Sequence, residues 1–243
     1  HPLFWLVGAL LGSNSGPELS IVAIWIGCLF VSILVHELGH ALAARSFGWP
    51  PDIVLHGFGG FARYSPGYGY TRSKAIWITF AGPLAGFGLF AIVYCAHLWI
   101  LAGIAEEQQW AQTLTTSGAW PGINFAIVQL EWINLFWGLF NLLPVFPLDG
   151  GQICSELLNA RENHSGRIRA HQIGMITAGV VAAYFLNSSR IFGGLMFGSL
   201  AYQNYQIYTQ LKRGYRKVRP VADEGCNHDG KRHSYLPVRV RTG

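Results

Sequence analysis

His36-Glu37-Leu38-Gly39-His40 is a spacing that can do metal chemistry if its segment is helical. Residues four apart on an α-helix share a face, with Cβ atoms about 5–6 Å apart, so both imidazoles can reach one zinc ion. Glu37 then stands where a carboxylate can move a proton of water beside that ion. From Leu19 to Ala44, Glu37 is the only formally charged side chain. Ionisable groups within such an apolar run are expensive to bury and point to function. The pattern implies a hydrolytic metal centre inside a lipid bilayer.

A catalytic zinc takes three protein ligands and keeps one position open. The best third candidate is Asp149, in Pro144-Val145-Phe146-Pro147-Leu148-Asp149-Gly150-Gly151. Two prolines break the preceding helix and two glycines loosen the turn, so the carboxylate can leave its own helix and face a neighbour. The blander reading of Asp149 is a helix cap after a proline turn. Zinc lowers the pKa of water from 15.7 to about 7; Glu37 would take the proton and deliver it to the leaving amine. Other titratable residues read as structural: His97 as a hydrogen-bonded histidine of a span, Glu131 as an outer-interface residue, His56 as a surface or hairpin residue. Cys226, His228 and His233 could form a second metal site, but a polar tail explains them more simply.

The elements that must position these groups are membrane spans. Charged residues make up 12% of the 243 residues and nine are Trp, against about 25% charged in soluble domains. Apolar stretches run over Pro2–Gly12, Leu19–Phe47, Ala75–Ala105, Ile123–Leu143, His171–Leu186 and Ile191–Leu211. At roughly 20 residues per span they give an all-α polytopic membrane protein with about six transmembrane helices. No cleavable signal peptide is expected at His1-Pro2-Leu3, which lacks a basic start. All but Arg190 of the 17 basic residues fall on one side, which the positive-inside rule makes cytoplasmic, together with both termini. Arg45 lies five residues beyond His40; at 1.5 Å per residue, the metal would sit roughly 10 Å below the cytoplasmic surface. The span carrying Ile123–Leu143 ends on the same side, so Asp149 can meet the histidines there.

Between the second and third of these spans, Ile53 to Tyr64 mixes β-branched and aromatic residues with glycines and predicts a small β-hairpin. Its edge could pair with an unwound substrate by β-addition, because non-helical backbone in a membrane must be satisfied; a lid or surface anchor is the alternative. The expected division is a membrane domain over 1–211 and a basic, flexible cytoplasmic tail over 212–243, drawn to anionic headgroups. Gly82, Gly86, Gly88, Gly194 and Gly198 read as close helix packing, with no chemistry implied.

The chain resembles the site-2 protease family of intramembrane zinc metalloproteases. The resemblance rests on His36 to His40, on Ala81-Gly82-Pro83-Leu84-Ala85-Gly86, and on Asn141-Leu142-Leu143-Pro144 through Leu148-Asp149-Gly150-Gly151. The compact branch typified by the bacterial sporulation-factor processing protease is most similar, through His1 to Trp5 and Phe58-Gly59-Gly60 as well. It implies one Zn2+ per chain held by His36, His40 and Asp149, with Glu37 as catalytic base. It implies that Asn141 lies close to the substrate backbone; Gly59, Gly60 and Phe61, in the expected hairpin, are the candidates for pairing with the substrate strand. The partners it implies are single-span membrane-protein substrates, the lipid bilayer and a membrane regulator, with no nucleic acid, in a bacterial cell membrane. Family members often carry a nucleotide-binding or peptide-binding domain, and neither pattern is evident here. Two rivals stand beside this reading: a membrane metal transporter, and a catalytically inactive membrane scaffold.

Overall fold

A computed structural model describes residues 18–56, 59–64, 69–162 and 165–218. Seven helices and two strands are formed among these: α1 (Leu19–Ser46), β1 (Pro51–His56), β2 (Gly59–Tyr64), α2 (Arg72–Ala105), α3 (Gln109–Thr115), α4 (Trp120–Asn141), α5 (Asp149–Glu162), α6 (Ser165–Asn187) and α7 (Ile191–Val218). Three are long and apolar enough to cross a membrane: α1, α2 and α4. These three support an integral membrane protein. The expected span at Pro2–Gly12 and the tail beyond Val218 lie outside the described residues. Helices α6 and α7 form where the fifth and sixth spans were expected, but they fall outside that apolar class because residues such as His171, Gln172, Gln203 and Asn204 dilute them.

Local chemistry sets the ends of the core helices. Helix α1 stops at Phe47, whose N–H bonds to the Ala44 carbonyl, and Gly48 follows at φ +79°. That left-handed position suits glycine and ends a helix, and Arg45 in the last turn complements the helix dipole. Trp49 then turns back into a buried cluster with Ala43, Ala44 and Ile78. Helix α2 begins at Thr71, whose hydroxyl oxygen accepts from the Lys74 N–H at 3.3 Å. Lys74 reaches back to the Gly69 carbonyl at 2.9 Å and lies over the Phe47 and Trp49 rings, tying the two helix ends together.

Helices α1, α2 and α4 pack on one another, α5 packs on α2 and α6, and α6 and α7 run along each other. A second core gathers Val145, Ala178, Ala182 and Phe197 under the turn before α5. Strands β1 and β2 pair antiparallel, Pro51 opposite Tyr64 and His56 opposite Gly59, and both lie against α1. Their connection at 57–58 lies outside the described residues, as do the side chains of 52–64.

Three differences from the sequence expectation are physical. The stretch after the proline turn is a helix, α5, because Asp149 opens it and, past two glycines, helix formers such as Gln152, Glu156, Leu157, Leu158 and Ala160 follow. The connection between α2 and α4 holds a short helix, α3, whose Trp110 stacks on Trp99 with ring centroids 4.2 Å apart. Helix α7 continues past 211 to Val218. Close packing at glycine also divides: Gly82, Gly86 and Gly194 face neighbouring residues, whereas Gly88 and Gly198 face none of the described atoms within 4 Å.

Candidate metal centre

The sequence spacing of His36 and His40 becomes a geometric pair because α1 is regular across both. Their Nε2 atoms lie 3.1 Å apart. Asp149, at the first residue of α5, brings Oδ2 to 3.1 Å from His36 Nε2 and 3.5 Å from His40 Nε2. All three residues are buried, and among the described residues they are the one group able to hold a metal ion. Glu37, beside His36, is 5% exposed.

Hydrogen-bond accounting tests whether a cation fits here. His40 Nδ1 lies 2.8 Å from the Ile78 carbonyl oxygen. A carbonyl only accepts, so Nδ1 carries the proton and donates, and the neutral ring turns the Nε2 lone pair toward the other two groups. Asp149 Oδ2 is buried without a hydrogen-bond partner, and so is His36 Nδ1. With the His36 proton on Nδ1, lone pairs of two imidazoles and a carboxylate converge where no donor from outside the cluster answers them. A tetrahedral zinc with bonds of about 2.0–2.1 Å spaces its ligands about 3.3 Å apart. The observed spacings of 3.1–3.5 Å agree with that edge. The residues present fit zinc.

The surroundings explain how such a cluster is accommodated. A Cβ on Gly82 would overlap the Nε2 and Cε1 atoms of His40, so this glycine makes the space the His40 ring occupies. A Cβ on Gly39 would strike the Ala81 carbonyl oxygen, so α1 and α2 touch backbone to backbone one residue from His40. Pro83 interrupts α2 at the same level; it lacks the N–H that would bond the Thr79 carbonyl and weakens the ladder there. On the far side, Cβ atoms on Gly150 and Gly151 would meet the main chain of Leu142–Phe146. The turn thus folds tightly onto the end of α4 and aims Asp149 at α1. Cys154 lies further along α5 outside the cluster, and burial pushes its thiol pKa up, which keeps it a neutral thiol.

His36, His40 and Asp149, the expected ligands, are brought together, Glu37 is buried in the same helix beside His36, and Asp149 also opens α5 as a cap would. Asn141 ends α4 half-buried, and its amide donates to the Trp137 carbonyl at 2.9 Å. Asn134, on the same face, is instead a packing residue: its amide donates to Ser32 Oγ at 2.9 Å and to the Leu130 carbonyl at 2.8 Å. Gly59, Gly60 and Phe61 lie in β2, against α1. His97 and Glu131 pair with each other at 2.7 Å between α2 and α4, away from the ligands. Sequence reasoning missed the ligand-fitting role of Gly82 and the Ile78 carbonyl. The only signal was the glycine directly before a mid-helix proline.

Comparison with known proteins agrees with this arrangement. Residues 24–186 match the model of peptidase family M50. The chain is 33% identical over 223 residues to Rip3 of Mycobacterium tuberculosis, covering 88% of this chain and 53% of Rip3. It therefore spans about half the length of that relative. It is 26% identical over 249 residues to stage IV sporulation protein FB of Bacillus subtilis, covering 99% of this chain and 75% of that protein. A solved site-2 protease from Methanocaldococcus jannaschii shares the fold, with a TM-score of 0.56 at 24% identity, covering 85% of this chain and 88% of that one.

Proposed function

This chain belongs to peptidase family M50, the site-2 proteases, and from that premise we propose that it hydrolyses a peptide bond within or near the transmembrane segment of a membrane-protein substrate. The observation that carries the reading is the convergence of His36, His40 and Asp149 from two distant segments. These residues would hold one Zn2+. A zinc ion there supplies Lewis acidity that makes a water proton labile at neutral pH and polarises a carbonyl.

The chain's own groups do the remaining work. Glu37 receives the proton of the attacking water and returns it to the departing amine, so the peptide nitrogen leaves neutral. Asn141, at the end of α4 beside the turn to Asp149, donates its second N–H to the substrate carbonyl as negative charge grows on that oxygen, an effect worth about 3–4 kcal/mol where measured elsewhere. A helical substrate hides its amides in its own hydrogen bonds. Its cleaved stretch must unwind, and the edge of β2 at Gly59, Gly60 and Phe61 accepts it as an added strand. The support for this is that β2 packs on α1, the helix with both histidines. Six spans with both termini cytoplasmic, in a bacterial cell membrane, complete the arrangement, with 212–243 as a basic extension.

The test compares membranes from cells expressing the natural chain or Glu37→Gln. Single-span proteins should accumulate uncut with the variant, while its zinc content stays equal. Cleavage should fall by about 10²–10⁴-fold. Equal processing by both forms would mean that Glu37 is not the base. Zinc flux that survives the substitution, without any proteolysis, would favour a transporter.

A further inference from the structure

Asp149 is aimed by a short turn, and the turn is gripped from behind. Asn204 on α7 is fully buried. Its Nδ2 donates to the Phe146 carbonyl at 2.8 Å and to the Leu200 carbonyl at 2.8 Å. Both acceptors are carbonyls, so the amide orientation is fixed and Oδ1 must look the other way. There it accepts from His171 Nδ1 at 3.1 Å. The His171 ring stacks on Phe146, with centroids 4.3 Å apart. Gly174, one turn along α6, leaves room for both partners: a Cβ there would come within 2.7 Å of Asn204 Oδ1 and 3.1 Å of the Pro144 carbonyl oxygen.

We infer that Asn204, oriented by His171, positions Asp149 for the metal by holding the main chain of the Pro144–Leu148 turn. The inference rests on the metal-centre reading above. The anchored carbonyl is three residues from the ligand, and the turn between is short and hydrogen-bonded, Leu148 N–H to the Val145 carbonyl at 2.8 Å. Fixing Phe146 therefore limits where Asp149 can point. A buried amide with its donors and acceptor engaged also resists displacement, because each lost partner leaves an unsatisfied group. Helices α6 and α7, both less apolar than α1, α2 and α4, thus hold the ligand that α1 cannot supply.

The experiment uses the full chain in detergent, loaded with cobalt(II) in place of zinc, whose visible bands report ligand geometry directly. The natural chain should show intense tetrahedral bands. Asn204→Leu keeps the volume and removes the grip; it should weaken and shift those bands and lower cobalt affinity by about 10–100-fold. Asn134→Leu removes an equally buried amide that does not reach the turn, and it should leave bands and affinity unchanged. If Asn204→Leu does not fold, His171→Phe keeps the stack on Phe146 and removes one hydrogen bond, and should shift the bands in the same direction by less. Natural bands and affinity in Asn204→Leu, or in His171→Phe where the first variant is unfolded, would overturn the inference. Absence of tetrahedral bands in the natural chain would overturn the metal-centre reading and the inference with it.

Discussion

Among the described residues, histidines meet carboxylates between helices at two places, one part-buried and one buried, and only the buried one has the makings of a catalytic centre. His97 on α2 and Glu131 on α4 meet at 2.7 Å, one N–H donating to one carboxylate oxygen. This is a closed account: a donor, an acceptor, and a short charge-assisted bond that ties two apolar helices. His36, His40 and Asp149 differ in kind. The single N–H of neutral His40 goes to the Ile78 carbonyl, and both Nε2 atoms and Asp149 Oδ2 face one another with no donor from outside the cluster to answer them. A histidine near a carboxylate within membrane helices is therefore not a site by itself. Surplus lone pairs, and the glycines that leave room for them, mark the one that is.

The comparison can be broken at its strongest point by removing one acceptor. Asp149→Asn keeps the shape and loses the charge; zinc content should drop from one per chain to near zero on dialysis, and proteolysis should be abolished. Elemental analysis of the purified variant checks this, and full retention of zinc would equate the two contacts. Gly82→Ala attacks the space rather than the ligand. The added methyl must displace the His40 ring, so zinc affinity should fall by about 10–100-fold, measured by chelator competition. Unchanged affinity would show that the ring has another place to go.

The smallest effect should come from the closed pair. Glu131→Gln leaves an acceptor for His97 and should lower thermal stability in detergent by about 0.6–1.7 kcal/mol, the range of interhelical hydrogen bonds in membranes. Zinc content and cleavage should not move. A loss of zinc in this variant would mean that the two contacts are coupled through α2 and α4.

Much of the site was legible because its chemistry is tied to spacing. Two histidines four apart in an uncharged run place themselves, and prolines with paired glycines announce a turn that can redirect Asp149. Gly82 was harder. In an apolar helix a glycine reads as packing, and nothing in the linear order says that its neighbour will be the His40 ring. Asn204 lay within Gln203-Asn204-Tyr205-Gln206, a stretch that looks like a wetted face, so its burial depended on the α6–α7 pairing. The same polar dilution hid how far α6 and α7 depart from ordinary spans. Helix α5 was hidden by its own start, because Pro144, Pro147, Gly150 and Gly151 all argue against a helix that begins among them.

The central claim is that two stretches of chain more than a hundred residues apart share one metal ion. X-ray absorption at the zinc edge of the full chain tests it most directly. The account predicts light scatterers only, at about 2.0–2.1 Å, with the outer-shell pattern of two imidazole rings, and one sulfur at about 2.3 Å appearing in Asp149→Cys. Sulfur in the natural chain, or a zinc shell without sulfur in Asp149→Cys, would contradict it.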